Sequence, residues 1–308
     1  MRALTRPMLQ PRLVPLTVLA MALPACSVRR LAVNSLGNAL SKGGSVYSSD
    51  DDPEFVAEAS PFALKTMEAL LDESPRHRGL LFATASGFTK YGYAFVQQEG
   101  DFVEAQDLAR ATHLRGRARR LYLRALDYGL RGLELDFPGL RDRLRTDARG
   151  ALARTQRKHV PLLFWTANAW GAAIALAKDD AELTADQASA EALMRRALEL
   201  DEGYEYGSGH DFFIVYEGGR SSVGGSLVKA REHLEQSVAV SKGRRAAPYV
   251  AFAETVSVAS QDRGEFEAML NKALAVDPDG VRELRLSNRI YQRRARWLLG
   301  RTDELFVE

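Results

Sequence analysis

Two tryptophans, four further aromatics and one amide are the side chains of this sequence best suited to hold a small molecule. Phe164, Trp165, Asn168 and Trp170 lie within Pro161 to Lys178, PLLFWTANAWGAAIALAK, and Tyr204, Phe212 and Phe213 follow in the glycine-rich stretch Asp201 to Gly225. Binding sites are mostly apolar with a few orienting polar groups, so these seven residues form a candidate ligand pocket. At 100° per residue Trp165 and Trp170 point about 140° apart, which makes their helix apolar nearly all round. Such a helix is buried, and the small residues Ala167, Ala169, Gly171, Ala172 and Ala173 let neighbours approach it closely. The aromatics therefore serve as core, as pocket lining, or as both.

No residue pattern nominates catalysis. The five histidines, His77, His113, His159, His210 and His233, are scattered, and neither H-E-x-x-H nor G-x-S-x-G occurs. Glu232-His233 with Glu235 supplies too few ligands for a tetrahedral zinc site, and the glycines of 203–225 lack the G-x-x-x-x-G-K-[ST] order of a phosphate loop. The acidic run Asp50 to Asp52 lacks EF-hand spacing and suits the N-terminal dipole of the following helix instead. Neither enzyme activity, nor a cofactor, nor a bound metal is expected. Arg110, Arg115, Arg117, Arg119, Arg120, Arg124 and Arg131 form the most basic region, which is either a solvated face or a surface for an anionic partner or lipid head groups.

The chain has one cysteine, Cys26. Ahead of it stand a basic start, an apolar run from Leu13 to Leu23 and the small Ala25, the pattern of a secretory signal over residues 1–25. Leu23-Pro24-Ala25-Cys26 resembles the bacterial lipobox, whose cysteine is acylated and becomes the first mature residue. Cys26 is thus the expected lipid attachment site and membrane anchor, since several acyl chains together hold a protein stably on a bilayer. Without the signal the formal net charge of +2 falls to about −1, which leaves no global electrostatic reason to bind nucleic acid. No later stretch has the length of a transmembrane helix.

Helical periodicity runs through the rest. Phe266, Met269, Leu270, Ala273, Leu274 and Val276 mark one helix face, which Asp277-Pro278-Asp279-Gly280 ends. Segments aligned with Lys272-Ala273-Leu274 begin at Arg131-Gly132, Arg196-Ala197 and Gln236-Ser237, with successive spacings of 65, 40 and 36 residues. A small residue at a helix crossing followed by a large apolar neighbour resembles the second helix of a tetratricopeptide-type repeat of roughly 34 residues. The expected fold is all-α, an α-solenoid of degenerate tetratricopeptide-like helical hairpins in a single domain, 26–308. In detail the sequence predicts helices over Phe55 to Leu71 and Leu80 to Gln97, one helix from Phe102 to Leu135, and a connecting or capping segment from Leu140 to Lys158.

Several features together resemble the TatT component associated with tripartite ATP-independent periplasmic (TRAP) transporters. They are the lipobox at Cys26, the Ser60-Pro61 and Ser74-Pro75 flanks, the Phe164-Trp165 to Trp170-Gly171 helix, Gly224-Gly225 to Lys229-Ala230-Arg231, and Leu286-Ser287-Asn288 to Leu298-Leu299. The resemblance implies a periplasm-facing, lipid-anchored accessory lipoprotein that associates as a homotrimer with a cavity in each subunit. It further implies docking to the TRAP-type periplasmic solute-binding protein and handling of a hydrophobic or organic-acid ligand. The alternative is a repeat-containing lipoprotein scaffold for envelope assembly with no small ligand.

Overall fold

The computed structural model describes residues 33–41, 44–177, 179–220 and 224–306; the signal segment and Cys26 lie outside these. Among the described residues all regular structure is helical. Helix α1 (Pro53–Glu73) starts where Asp52 accepts the Phe55 N–H at 2.9 Å with Pro53 in the first turn, so the acidic run acts as a cap. Helix α2 (Arg78–Tyr91) continues through a π-helical turn, Gly92–Gln97, into Gln98–Val103.

Helix α3 (Leu108–Glu134) begins later than the periodicity suggests, because the Asp107 carboxylate accepts the Arg110 N–H at 2.9 Å and fixes the start there. Phe102, expected in that helix, belongs to the end of the preceding one. The segment expected to connect or cap is largely a helix as well. Leu140, Leu144 and Leu152 of α4 (Leu140–Leu152) are buried, so its charged residues are an outer face over an apolar stripe. Then follow α5 (Val160–Ala175), α6 (Gln187–Leu200), α7 (Gly209–Gly218), α8 (Leu227–Ser241) and α9 (Ala247–Phe252), which runs into a second π-helical turn, Ala253–Ser257. Helices α10 (Arg263–Ala275) and α11 (Arg285–Leu299) complete the array.

Successive helices pack as neighbours except at α4, which lies against α3 and α6 rather than α5. A Cβ on Gly132 of α3 would stand 2.7 Å from Leu162 of α5, and one on Gly92 would stand 2.9 Å from the Tyr122 ring, so these crossings need glycine. The four small residues that align in the sequence, Gly132, Ala197, Ser237 and Ala273, are all buried. One apolar cluster extends from α1 to Phe213 of α7, and a second from Ile214 of the same helix to Phe306.

The far end of the array returns to its beginning. Arg293 of α11 donates to the Ala94 carbonyl at 3.2 Å, and the Tyr291 and Trp297 rings meet Tyr93 and Phe102 at 5.6 and 5.2 Å. At the centre of this seam Arg294, 5% exposed, donates to Asp101 at 3.0 Å and pairs with Glu254 of the second π-helical turn. Burial alone would lower its pKa, yet Glu254, Tyr93 and Asp101 together raise it well above the usual arginine value. Truncating one partner of a buried pair leaves the other charge uncompensated, at about 3–5 kcal/mol. Arg294→Met is therefore expected to lower stability in urea unfolding by that order, whereas Arg110→Met, which removes the exposed pair with Glu99 at 2.8 Å, is expected to cost about 1 kcal/mol or less. Equal losses would mean that the seam contributes nothing special.

Candidate functional site

Helix α5 enters from a short 3-10 turn, Arg157–His159, in which His159 Nδ1 accepts the Gln156 N–H at 2.8 Å and Nε2 meets Asp136 at 3.0 Å. As its composition requires, the helix is buried on nearly every side. Phe164, Trp165 and Trp170 are all buried, and Asn168 is half-buried with its amide donating to the Phe164 carbonyl at 3.0 Å. The Phe164 ring meets Trp165 edge-on at 5.0 Å and Tyr204 at 5.2 Å. These three rings make a continuous aromatic wall.

Tyr204 is delivered to it by an unusual piece of backbone. Glu205, Tyr206 and Gly207 all have positive φ, at 49°, 58° and 80°. For the two non-glycine residues the left-handed conformation costs roughly 1–2 kcal/mol each. A Cβ on Gly207 would stand 2.8 Å from Val240, so glycine is required there twice over. The turn also carries the Glu205 carboxylate to 3.9 Å from Lys90 of α2, whose ammonium lies 4.7 Å from the centroid of the Trp165 ring. Among the described residues two indole N–H groups are buried without an acceptor. That of Trp165 is turned to the Tyr204 hydroxyl without closing a hydrogen bond, and burial pushes the Tyr204 phenol well above its ordinary pKa. That of Trp170 has no acceptor among the described residues.

The remaining expected pocket residues lie one helix further on. Phe212 is half-buried against Gly171, where a Cβ would come within 2.8 Å of its ring, and meets Phe213 at 5.3 Å and Tyr216 at 6.0 Å. The Tyr216 hydroxyl donates to Glu191 at 2.6 Å, and burial together with that carboxylate pushes its pKa up to about 12. All six aromatics of the expected pocket belong to one hydrophobic cluster, with Phe164, Trp165, Trp170 and Phe213 buried and Tyr204 and Phe212 at its margin.

Periodicity did not reveal the open cleft of about 480 Å³ on the other side of Phe213, lined by Arg195, Glu199, Asp201, Glu202, His210 and His233 among others. Two histidines that are 23 residues apart converge there, with their Nδ1 atoms 3.0 Å apart. His210 Nε2 lies 3.1 Å from Glu202, and the His233 ring stacks on Phe213 at 4.9 Å. Burial lowers both imidazole pKa values, that of His233 to about 4 with help from the His210 and Arg195 charges. No group of three or more His, Cys, Asp or Glu side chains among the described residues is arranged to hold a metal ion. The basic run of α3 is largely absorbed by ion pairs: Arg110 with Glu99, Arg115 with Asp101 and Glu104, Arg119 with Asp180, and Arg124 with Glu68.

Residues 49–306 match the family description TAtT, TRAP transporter T-component. The chain belongs to this family. A TRAP transporter T-component is a transport accessory, and membership associates the protein with the TRAP transporter system and so with the cell envelope. The chain is also 29% identical over 302 residues to an uncharacterized protein of Treponema pallidum (strain Nichols), covering 92% of this chain and 94% of that one. No helix among the described residues is long and apolar enough to cross a membrane.

The close approach of Phe212 to Gly171 has a direct test in this T-component. Gly171→Val is expected to overpack the contact and cost about 1–3 kcal/mol in thermal or urea unfolding. Phe212→Ala in the same chain should return part of that loss, giving a coupling of at least about 0.5 kcal/mol in a double-mutant cycle. Strict additivity would mean that the two residues do not bear on each other.

Proposed function

We propose that the protein is a periplasm-facing, lipid-anchored accessory of a TRAP-type transporter that docks the solute-binding protein and holds an amphipathic organic acid against the Phe164, Trp165 and Tyr204 wall. The observation that carries this reading is the Lys90 ammonium, 4.7 Å from the Trp165 ring centroid at the rim of an apolar cluster, with Glu205 at 3.9 Å as a weak partner. An aromatic wall takes the apolar body of such a ligand, and a loosely paired cation at its edge takes the carboxylate. The Trp170 indole N–H adds a donor for which the described residues hold no acceptor. Family membership supports the transporter role. Docking proceeds on the outer faces of tetratricopeptide-like hairpins, a repeat register supported by the burial of Gly132, Ala197, Ser237 and Ala273. Residues 1–25 are a removed signal, Cys26 carries the lipid, 26–308 form one domain, and the assembly is a homotrimer.

Tryptophan fluorescence separates the parts of this proposal, because Trp297 sits apart in the seam against Phe102 and acts as an internal control. Titration with octanoate or an aromatic carboxylate is expected to change the emission, and either Trp165→Phe or Trp170→Phe should remove most of that change while the protein stays folded. Lys90→Gln is expected to weaken binding roughly tenfold, or about 1.4 kcal/mol. A ligand-independent spectrum across a broad set of acids and lipids would leave the envelope-assembly scaffold as the better reading. The anchor is tested separately: Cys26→Ser should release the protein from membranes or block its processing, and unchanged membrane partition with unchanged mature mass would exclude lipidation there.

A further inference from the structure

Helix α1 is apolar on two sides. Its buried side carries Val56, Leu64 and Leu71, which pack it on α2. At 100° per residue Phe55, Ala59, Phe62, Thr66 and Ala69 lie within about 40° of a single line on the outer side, and no charged residue falls on that line before Glu73 at the helix end. Phe55 is 62% and Phe62 80% exposed. A continuous apolar stripe left in water adds nothing to the core and marks a contact surface. We propose that the outer stripe of α1 lies in the interfacial layer of a phospholipid bilayer, beside the lipid on Cys26; the inference rests on the anchor proposed above.

The position of the anchor decides what covers the stripe. A short helix, residues 33–41, is seated at the C-terminal end of α1: Ser74 donates to the Asn34 side-chain oxygen at 2.9 Å, and a Cβ on Gly37 would stand 2.8 Å from Leu80. Cys26 precedes Val33 by seven residues, which span at most about 25 Å when fully extended. Phe62 is twelve residues from Ser74 along α1, or about 18 Å. A bilayer that holds the Cys26 lipid is therefore within reach of Phe62, and α1 lying flat on it brings Phe55 to the same surface. Leu36, on the helix between the anchor and α1, is exposed as well.

The chemistry of the stripe suits this layer. The apolar face of a surface helix sinks about 5–10 Å into the boundary between head groups and acyl chains, and binding grows with the apolar area buried. Attraction to anionic head groups plays little part, because Glu54 and Glu58 border the stripe and Lys65, the one cation of α1, is paired with Glu68 at 2.7 Å. The acyl chains on Cys26 supply the affinity, and the stripe fixes which side of the array faces the lipid.

The test uses the lipidated protein in vesicles of phosphatidylethanolamine and phosphatidylglycerol. Acylation blocks Cys26, so Ala69→Cys in the stripe, or Ala105→Cys on the α2–α3 connection, supplies a single free thiol for an environment-sensitive dye; both alanines are exposed. The dye at residue 69 is expected to shift to the blue and to be quenched by a lipid carrying a nitroxide head group, and the dye at residue 105 to do neither. Phe55→Ser combined with Phe62→Ser should leave the helical circular dichroism unchanged and speed transfer of the protein between vesicles about tenfold or more. If the protein floats with the vesicles but both dyes behave alike, or if the double variant transfers at the parental rate, the stripe does not meet the lipid. A blue shift at residue 69 that appears without vesicles and grows with protein concentration would overturn the proposal in favour of a second copy of the chain. Failure to float at all would remove the anchor, and this inference with it.

Discussion

Arg294 ties the later helices of the array back to the first hairpin. It lies 193 residues from Asp101 and 40 from Glu254, and it pairs with both while almost wholly buried. A guanidinium in that position is stable only while both carboxylates are present, because an unpaired buried charge costs more than the pair contributes. Asp101 is in turn held by Arg115 of α3 at 2.9 Å, so the first hairpin, the second π-helical turn and the last helix meet in one charged cluster. An open helical array buries its apolar faces only between neighbours and leaves its ends exposed. Here the terminal helix covers the first hairpin, and the rims of Tyr93, Phe102, Tyr291 and Trp297 close around the charges.

Both π-helical turns lie next to this seam, one contributing Tyr93 and the other Glu254. A π turn inserts one residue into an α-helix and re-aims the side chains that follow it. Regular helices at these positions would send Glu254 and Asp101 in other directions. Sequence periodicity carries no trace of such an insertion, since the apolar residues on either side keep helical spacing. The seam is built from local irregularities joined by long-range ion pairs, and both kinds of feature escape a reading of helix faces.

Features legible in the sequence are those that local chemistry decides. The cap at Asp52 is a single side chain that accepts an N–H group three residues ahead. The aligned small residues are all buried, and the all-round apolar composition of α5 marked a buried helix. The start of α3 was misplaced because Phe102 keeps the spacing of a helix face while belonging to the neighbouring helix, and only the Asp107 cap separates the two. Helix α4 was hidden by its arginines, which outnumber the leucines that bury it. For the candidate site the aromatics were evident from composition, whereas Lys90 was not, because its place over Trp165 depends on α2 lying across α5. The histidines looked scattered for the same reason: α7 and α8 bring residues 210 and 233 together, and no spacing rule spans that connection.

Phe213 links the two candidate regions. On one side its ring stacks on His233 at 4.9 Å, and on another its edge meets Phe212, which rests on Gly171 of the wall helix. Close-packed aromatic rings transmit displacement because no free volume absorbs it. The next residue, Ile214, is buried in the second cluster, and Asp211 on the same helix is pinned by Arg245 and by Ser237 of α8, so α7 itself is poorly placed to yield. Phe213 and Phe212 thus join the His233 ring to the wall helix through a continuous run of packed rings. The wall helix α5 is the far end of that run, so the cleft and the aromatic wall share packing through α7 without sharing a lining residue.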